Sequence, residues 1–213
     1  MRYAQLLNLM GAEPLFETSW MAEQEPSPYH AQRRLVDWTK TGKVVPLRRG
    51  LYALPKPLRQ IEPHPFVVAN RLVPNSYISL EMALRHYNLI PEHVAVVTSV
   101  TTGRPGEWEN EFGRFLYRHI HPRYFFGMTR ERVAQGQTVI IAYPEKVLLD
   151  LIYLRKRGDD PAFIRSLRLQ NLDTLDMERL RTFAAQFDKP KIYRAVQVIE
   201  VLAETETQAF EWL

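Results

Sequence analysis

Apolar residues recur at helical spacing in the first part of the chain. The stretch RYAQLLNLM (2–10) predicts a first helix, which Gly11 ends. The stretch FETSWMAEQ (16–24) predicts a second, short helix with Trp20 and Met21 directed inward. Two short helices are therefore expected before the first strongly polar stretch.

A third helix carries the clearest start signal. Ser27 followed by Pro28 is typical of a helix N-terminus, because a serine hydroxyl accepts hydrogen bonds from free amides and proline suits the first helical position. The helix PYHAQRRLVDWTKT is stopped by Gly42. Its apolar face consists of Ala31, Leu35 and Trp38, and its other faces carry Tyr29, His30, Gln32, Arg33, Asp37 and Lys40.

Two short extended runs follow in GKVVPLRRGLYAL (42–54) and meet at the turn Arg48-Arg49-Gly50. Pro46 lacks an amide hydrogen, which places the first run at the edge of a sheet. Arginines at such a tip either discourage pairing with another sheet or contact DNA as a wing. Helices followed directly by a hairpin favour the second interpretation, a winged helix-turn-helix over residues 1–58.

The predicted geometry assigns a role to each polar residue of this unit. In the major groove Gln32 suits an adenine edge and Arg33 a guanine edge. Tyr29 and His30 reach phosphates or a thymine methyl, and the hairpin tip lies over the flanking backbone or minor groove. The predicted DNA-binding residues are Ser27, Tyr29, His30, Gln32, Arg33, Lys40, Lys43, Arg48 and Arg49.

A proline-rich stretch, LPKPLRQIEPHP (54–65), predicts a domain boundary, because its four prolines suit neither a helix interior nor a central strand. We expect a linker at 59–65 and a second domain at 66–213. Strand patterns there cover 93–101, 113–121 and 137–143, and helical patterns cover 79–92, 144–158, 176–187 and 191–204. Lys146 and Asp150 lie one turn apart and suit an ion pair. The fold class expected is α+β, with a small sheet and a helical C-terminal part.

The most informative feature of the composition is the distribution of charge along the chain. The 213-residue chain has a formal net charge of +4, and its 46% hydrophobic residues suffice for a core. Residues 1–59 hold nine Lys and Arg against five Asp and Glu, whereas residues 60–213 hold nineteen of each. The surplus favours an anionic partner for the first unit. Because the chain has no cysteine, no long apolar run and no signal-peptide pattern, we expect a soluble, cytoplasmic protein.

Two motifs raise the alternative of an enzyme. YPEK (143–146) follows a strand, as acidic and lysine residues do in restriction-type nucleases, but Glu145 and Lys146 are adjacent where that site needs a spacing of two. His119 and His121 share a face of a predicted strand, yet no acidic or cysteine partner supports a metal site. We expect no enzymatic activity and no cofactor. A metal-dependent nuclease recruited by its winged helix and a protein-binding scaffold remain as alternatives.

Several stretches together resemble the AbiEi-type antitoxins, the transcriptional-regulator half of abortive-infection, type IV toxin-antitoxin pairs. They are GKVVPLRRGLYAL, NSYISLEMALRHYNLIPE (75–92), TTGRP followed by FGRFLYRHI, YFFG, and IAYPEKVLLDLIYL (141–154). The resemblance implies a repressor that binds inverted repeats upstream of its own operon. It also implies a C-terminal domain that counters a nucleotidyltransferase-like toxin, without requiring a stable complex with it.

Overall fold

The protein is described by a computed structural model, which covers residues 1–11 and 13–210. Its residues group into two compact units. The first comprises Met1–Pro74 with Val133–Gln137, and the second comprises Asn75–Arg132 with the chain from Thr138 onward. Both units combine helices with a sheet, so the predicted α+β class is confirmed. The predicted domain limits of 1–58, 59–65 and 66–213 stay a prediction.

The first unit contains the predicted helices and hairpin. Its elements are α1 (Tyr3–Met10), β1 (Leu15–Glu17), α2 (Thr18–Ala22), α3 (Pro28–Lys40), β2 (Val45–Arg48), β3 (Leu51–Ala53) and α4 (Pro65–Leu72). Strand β1 was not predicted, and it contains Phe16 and Glu17, where the second helix was expected to begin. It pairs antiparallel with β3 and gives a sheet of order β1-β3-β2. Strand β2 therefore lies at an edge, as Pro46 predicts.

One apolar core holds these elements together. Its buried residues are Leu6, Met10, Phe16, Met21, Ala31, Leu35, Trp38, Val44 and Leu54. The apolar face predicted for α3 is thus confirmed. Trp20 and Met21 were both expected to face inward from α2. Met21 is fully buried, whereas Trp20 is only partly buried against the core.

The second unit is built on a mixed sheet of order β6-β7-β5-β4-β9-β8. The elements are β4 (Ser76–Ile78), α5 (Leu80–His86), β5 (Val96–Thr101), β6 (Gly106–Asn110), β7 (Gly113–His119), β8 (Met128–Arg132), β9 (Thr138–Ala142), α6 (Pro144–Leu154), α7 (Pro161–Ser166), α8 (Met177–Phe187) and α9 (Pro190–Phe210). No helix within residues 1–11 and 13–210 has the length and apolar character that crossing a membrane requires.

Strands β5, β7 and β9 correspond to the three strands that the sequence predicts, and β4, β6 and β8 do not. Strands β6 and β8 are the two edges of the sheet, and half or more of their residues are charged or otherwise polar. Strand β4 has only three residues. Short or edge strands lack the apolar run that identifies a strand in sequence. The sheet is consequently twice as large as expected.

A buried ion pair joins helix α6 to strand β4. Lys146 and Asp150 contact each other one turn apart, as predicted, but both side chains are fully buried. The Tyr77 hydroxyl donates to Asp150 Oδ2 at 3.0 Å, and the Ser79 hydroxyl donates to the same oxygen at 2.9 Å. Lys146 Nζ also donates to the Tyr77 hydroxyl oxygen at 3.0 Å. We term Tyr77, Ser79, Lys146 and Asp150 the buried network.

Aromatic rings enclose the ammonium group of this network. Lys146 Nζ lies 5.0 Å from the ring centre of Phe126 and 4.9 Å from that of Phe187, within the range of a cation–π attraction. Burial lowers the pKa of Lys146 and raises the pKa of Asp150, while the ion pair opposes both shifts. The cost of burying two charges is thus partly offset by their mutual contact and by the hydroxyl donors.

Replacing one member of the ion pair should destabilise the second unit severely. In Lys146→Met, Asp150 stays buried without its cation, and we expect a loss of about 3–5 kcal/mol in the free energy of unfolding. The double variant Lys146→Met, Asp150→Leu should lose less, because no unpaired charge remains. Urea unfolding monitored by circular dichroism measures both, with exposed Lys189→Met as the control. A single variant as stable as the wild type would contradict this account.

Candidate nucleic-acid interface

The orientation of α3 follows from three buried residues. Ala31, Leu35 and Trp38 face the core, and since successive residues turn by about 100°, the opposite side of the helix faces solvent. The outer face of α3, as we use the term, consists of Tyr29, Gln32, Arg33, Val36, Asp37 and Lys40, all exposed. The core therefore displays most of the predicted contact residues on one surface.

The N-terminus of α3 is capped as predicted. The Ser27 hydroxyl oxygen accepts a hydrogen bond from the His30 amide at 3.5 Å and lies 2.7 Å from His30 Nδ1. Pro28 occupies the first turn, where its missing amide hydrogen costs nothing. Ser27 and His30, both predicted to contact DNA, are thus joined to each other. Their local role is to define where the helix begins.

Three polar side chains of the outer face are available for a ligand. The side chains of Gln32, Arg33 and Lys40 are exposed, and none forms a hydrogen bond or ion pair with residues 1–11 or 13–210. Tyr29 is 68% exposed and meets the His30 ring edge-on at 5.9 Å between ring centres. An amide, a guanidinium and an ammonium on one exposed helix face are the groups that pair with purine edges and phosphates.

The two arginines of the hairpin tip differ in their surroundings. The Arg48 guanidinium donates to the Arg49 carbonyl oxygen at 2.8 Å and to the Arg71 carbonyl oxygen at 3.2 Å. Arg48 is accordingly half-buried, whereas the Arg49 side chain is exposed. The positive φ of Gly50, +85°, completes the tight turn between them and β3. Arg48 stabilises the tip, and Arg49 is the arginine that faces solvent.

Lys43 lies between α3 and the hairpin in the chain, and it is exposed. Its Nζ lies 5.4 Å from the ring centre of Tyr3, and its carbonyl oxygen accepts a hydrogen bond from the Tyr3 hydroxyl at 2.7 Å. Arg33 and Lys40 on the outer face of α3, Lys43 after the helix and Arg49 at the hairpin tip are all exposed, against the single outer-face carboxylate of Asp37. This excess of exposed cations suits a polyanion.

The motif that raised the nuclease alternative has a structural role. Glu145, only 1% exposed, accepts a hydrogen bond from the Asp176 amide at 2.8 Å and pairs with Arg179 at 3.4 Å. It thereby holds the N-terminus of α8 against α6. Its neighbour Lys146 belongs to the buried network. Both side chains of the motif are thus committed to contacts inside the second unit.

The two histidines of the metal hypothesis have separate hydrogen-bond partners. His119 Nδ1 lies 2.9 Å from the Gly103 carbonyl oxygen, and His121 Nδ1 accepts from the Arg123 amide at 3.2 Å. Strand β7 ends at His119, so the expected shared strand face does not reach His121. Across the part of the chain that the structure describes, no three His, Asp or Glu side chains form a group able to hold a metal ion.

Sequence reasoning missed one residue of the outer face. Val36 is 45% exposed, although a valine in an amphipathic helix normally suggests the core. Its spacing of seven from Tyr29 and three from Arg33 was the signal that places it on this face.

Comparison of the chain with protein-family models and with curated proteins finds no match.

The capping role of Ser27 gives a stability prediction. Ser27→Ala leaves helix amides without an acceptor and should cost about 1 kcal/mol in the free energy of unfolding. Ser27→Asp keeps an acceptor and adds a charge that the helix dipole favours, so stability should be retained. Denaturant unfolding of the three proteins measures this. An alanine variant equal in stability to the wild type would show that the hydroxyl does not cap α3.

Proposed function

We propose that the first unit is a winged helix-turn-helix DNA-binding domain, in which α3 enters the major groove and the β2–β3 hairpin is the wing. The order α1, β1, α2, α3, β2, β3 and the edge position of β2 support this assignment. The observation that carries it is the outer face of α3, where Gln32 and Arg33 stand unpartnered among the described residues between Tyr29 and Lys40. Double-stranded DNA is the partner that matches this chemistry.

The contacts divide into two kinds. Gln32 pairs with an adenine edge and Arg33 with a guanine edge, and these two contacts specify sequence. Lys40, Lys43 and Arg49 bind phosphates and set the register of the domain on the duplex. Ser27 and His30 fix the N-terminus of α3, and they reach the DNA backbone only beside the first turn of this helix.

We further propose that the whole chain is an AbiEi-type antitoxin that represses its own operon and counters a nucleotidyltransferase-like toxin in the cytoplasm. This rests on the resemblance of the sequence stretches. Two of these stretches, 75–92 and 141–154, supply the four members of the buried network. The likeness therefore concerns the framework of the second unit as well as the wing. Inverted repeats in the operator would seat two copies of the chain on DNA.

The proposed wing contact predicts a change in salt dependence. In a mobility-shift titration on DNA from upstream of its own coding sequence, Arg49→Ala should lower the slope of log Kobs against log[salt] by about 0.9, the value for one lost phosphate contact. The matched control is Arg165→Ala, an exposed arginine of the second unit, which should leave the slope unchanged.

Two results would contradict the wing assignment. One is an absence of any specific shift for the wild type, and the other is an unaltered slope for Arg49→Ala. Because Arg48 bonds two backbone carbonyls, Arg48→Ala is expected to lower the free energy of unfolding as well as DNA affinity. The comparison of the two variants separates a contact residue from a residue that holds the tip.

DNA binding and toxin neutralisation should be separable. We expect Arg33→Ala to weaken DNA binding by about 1–3 kcal/mol, because the contact with one base pair is lost. The variant should also relieve repression of a reporter gene placed downstream of the operator. Supplied from an unrelated promoter beside the toxin gene, the same variant should still protect growth, because Arg33 lies outside the second unit. If Arg33→Ala failed to protect growth while Arg165→Ala protected it fully, DNA binding and toxin neutralisation would not be separate functions of the two units.

A further inference from the structure

The outer face of α3 includes an apolar side chain that the contacts proposed above leave unused. Val36 is 45% exposed and lies on the opposite side of the helix from the core residues Ala31, Leu35 and Trp38. It stands one turn after Gln32 and beside Arg33, both exposed and polar. An exposed valine at the centre of a basic, polar face does not stabilise the free protein. A ligand that places an apolar group against this valine would remove its surface from water.

The spacing of the face matches that of a helix lying in the major groove. Tyr29, Gln32, Arg33 and Val36 occupy positions i, i+3, i+4 and i+7, and recognition helices present side chains to base edges at these intervals. With a rise of about 1.5 Å per residue, Val36 lies about 6 Å beyond Gln32 along the helix axis. This distance corresponds to about two base pairs.

The chemistry of the groove leaves one apolar target for Val36. Among the base edges in the major groove, only thymine presents an apolar group, its C5-methyl, and the other positions are hydrogen-bond donors or acceptors. A valine set against a donor or acceptor would leave that group without its water partner. The phosphate contact proposed for Lys40, one turn beyond Val36, holds the duplex close enough for the valine side chain to reach the bases.

We propose that Val36 recognises the C5-methyl of a thymine that lies about two base pairs from the adenine paired with Gln32. This inference rests on the proposed DNA-binding function and adds a third specified base to it. Val36 would read sequence through van der Waals contact alone, next to two hydrogen-bonded contacts.

Deoxyuridine substitution tests the inference, because it removes the methyl and leaves the pairing edge unchanged. A duplex is first selected from a random pool by the full-length wild-type protein, and each thymine is then replaced in turn. At one position, about two base pairs from a position where Gln32→Ala loses discrimination, the wild type should bind about fourfold more weakly, the effect of one buried methyl group. Val36→Ala should bind the thymine duplex with a similar loss and show no further loss with deoxyuridine.

The controls separate this inference from the proposed function. Gln32→Ala should keep the deoxyuridine penalty, and Val201→Ala, an exposed valine of α9, should bind like the wild type. If a specific duplex is selected but Val36→Ala retains the full penalty, or no thymine is sensitive, the inference is overturned while DNA binding stands. If the wild type enriches no duplex, the proposed function fails and the inference fails with it. Alanine is a strong helix former and Val36 is exposed, so the variant keeps the fold.

Discussion

The burial of a single stripe of α3 is the constraint on which the proposed interface depends. Ala31, Leu35 and Trp38 pack into the core of the first unit, and this packing fixes the rotation of the helix about its own axis. The outer face is consequently set by residues on the buried side of the helix. The Ser27 cap fixes where that face begins, and the tip of the β2–β3 hairpin is held by the two carbonyl contacts of Arg48.

The second unit depends on a different kind of interaction. Its buried network links α6 to β4 and to Ser79 just after it, through the Lys146–Asp150 ion pair and the hydroxyl groups of Tyr77 and Ser79. A buried ion pair is weak evidence of high stability, but breaking it by removing one partner is costly because an unpaired charge stays buried. Glu145, the residue before Lys146, also joins α6 to a neighbouring element, because its carboxylate accepts a hydrogen bond from the amide of Asp176 at the start of α8. The acidic and basic residues of this helix thus position neighbouring elements.

Structural features that depend on local sequence pattern were predicted, whereas features that depend on tertiary contacts were not. The cap at Ser27, the inner face of α3, the Arg-Arg-Gly turn and the edge position of Pro46 all follow from residue spacing and backbone chemistry, and the structure contains each. The partnering of Lys146 with Asp150 was predicted as well, but not its burial, since spacing along a helix does not reveal what packs against it. Arg48 and Arg49 are adjacent and chemically identical, and they differ through tertiary contacts such as the hydrogen bond from Arg48 to the Arg71 carbonyl, which residue spacing does not reveal. The exposed position of Val36 was not predicted, although its spacing from Tyr29 and Arg33 places it on the outer face.

Nuclear magnetic resonance of the full-length protein, titrated with the duplex from upstream of its own coding sequence, tests whether the outer face of α3 and the hairpin tip bind DNA. We expect the largest amide and side-chain shifts on Tyr29, Gln32, Arg33, Val36, Lys40 and Arg49. The buried side chains of α6 should hardly change. Shifts that concentrate in the second unit, or an unchanged spectrum at low salt, would show that this surface does not bind DNA.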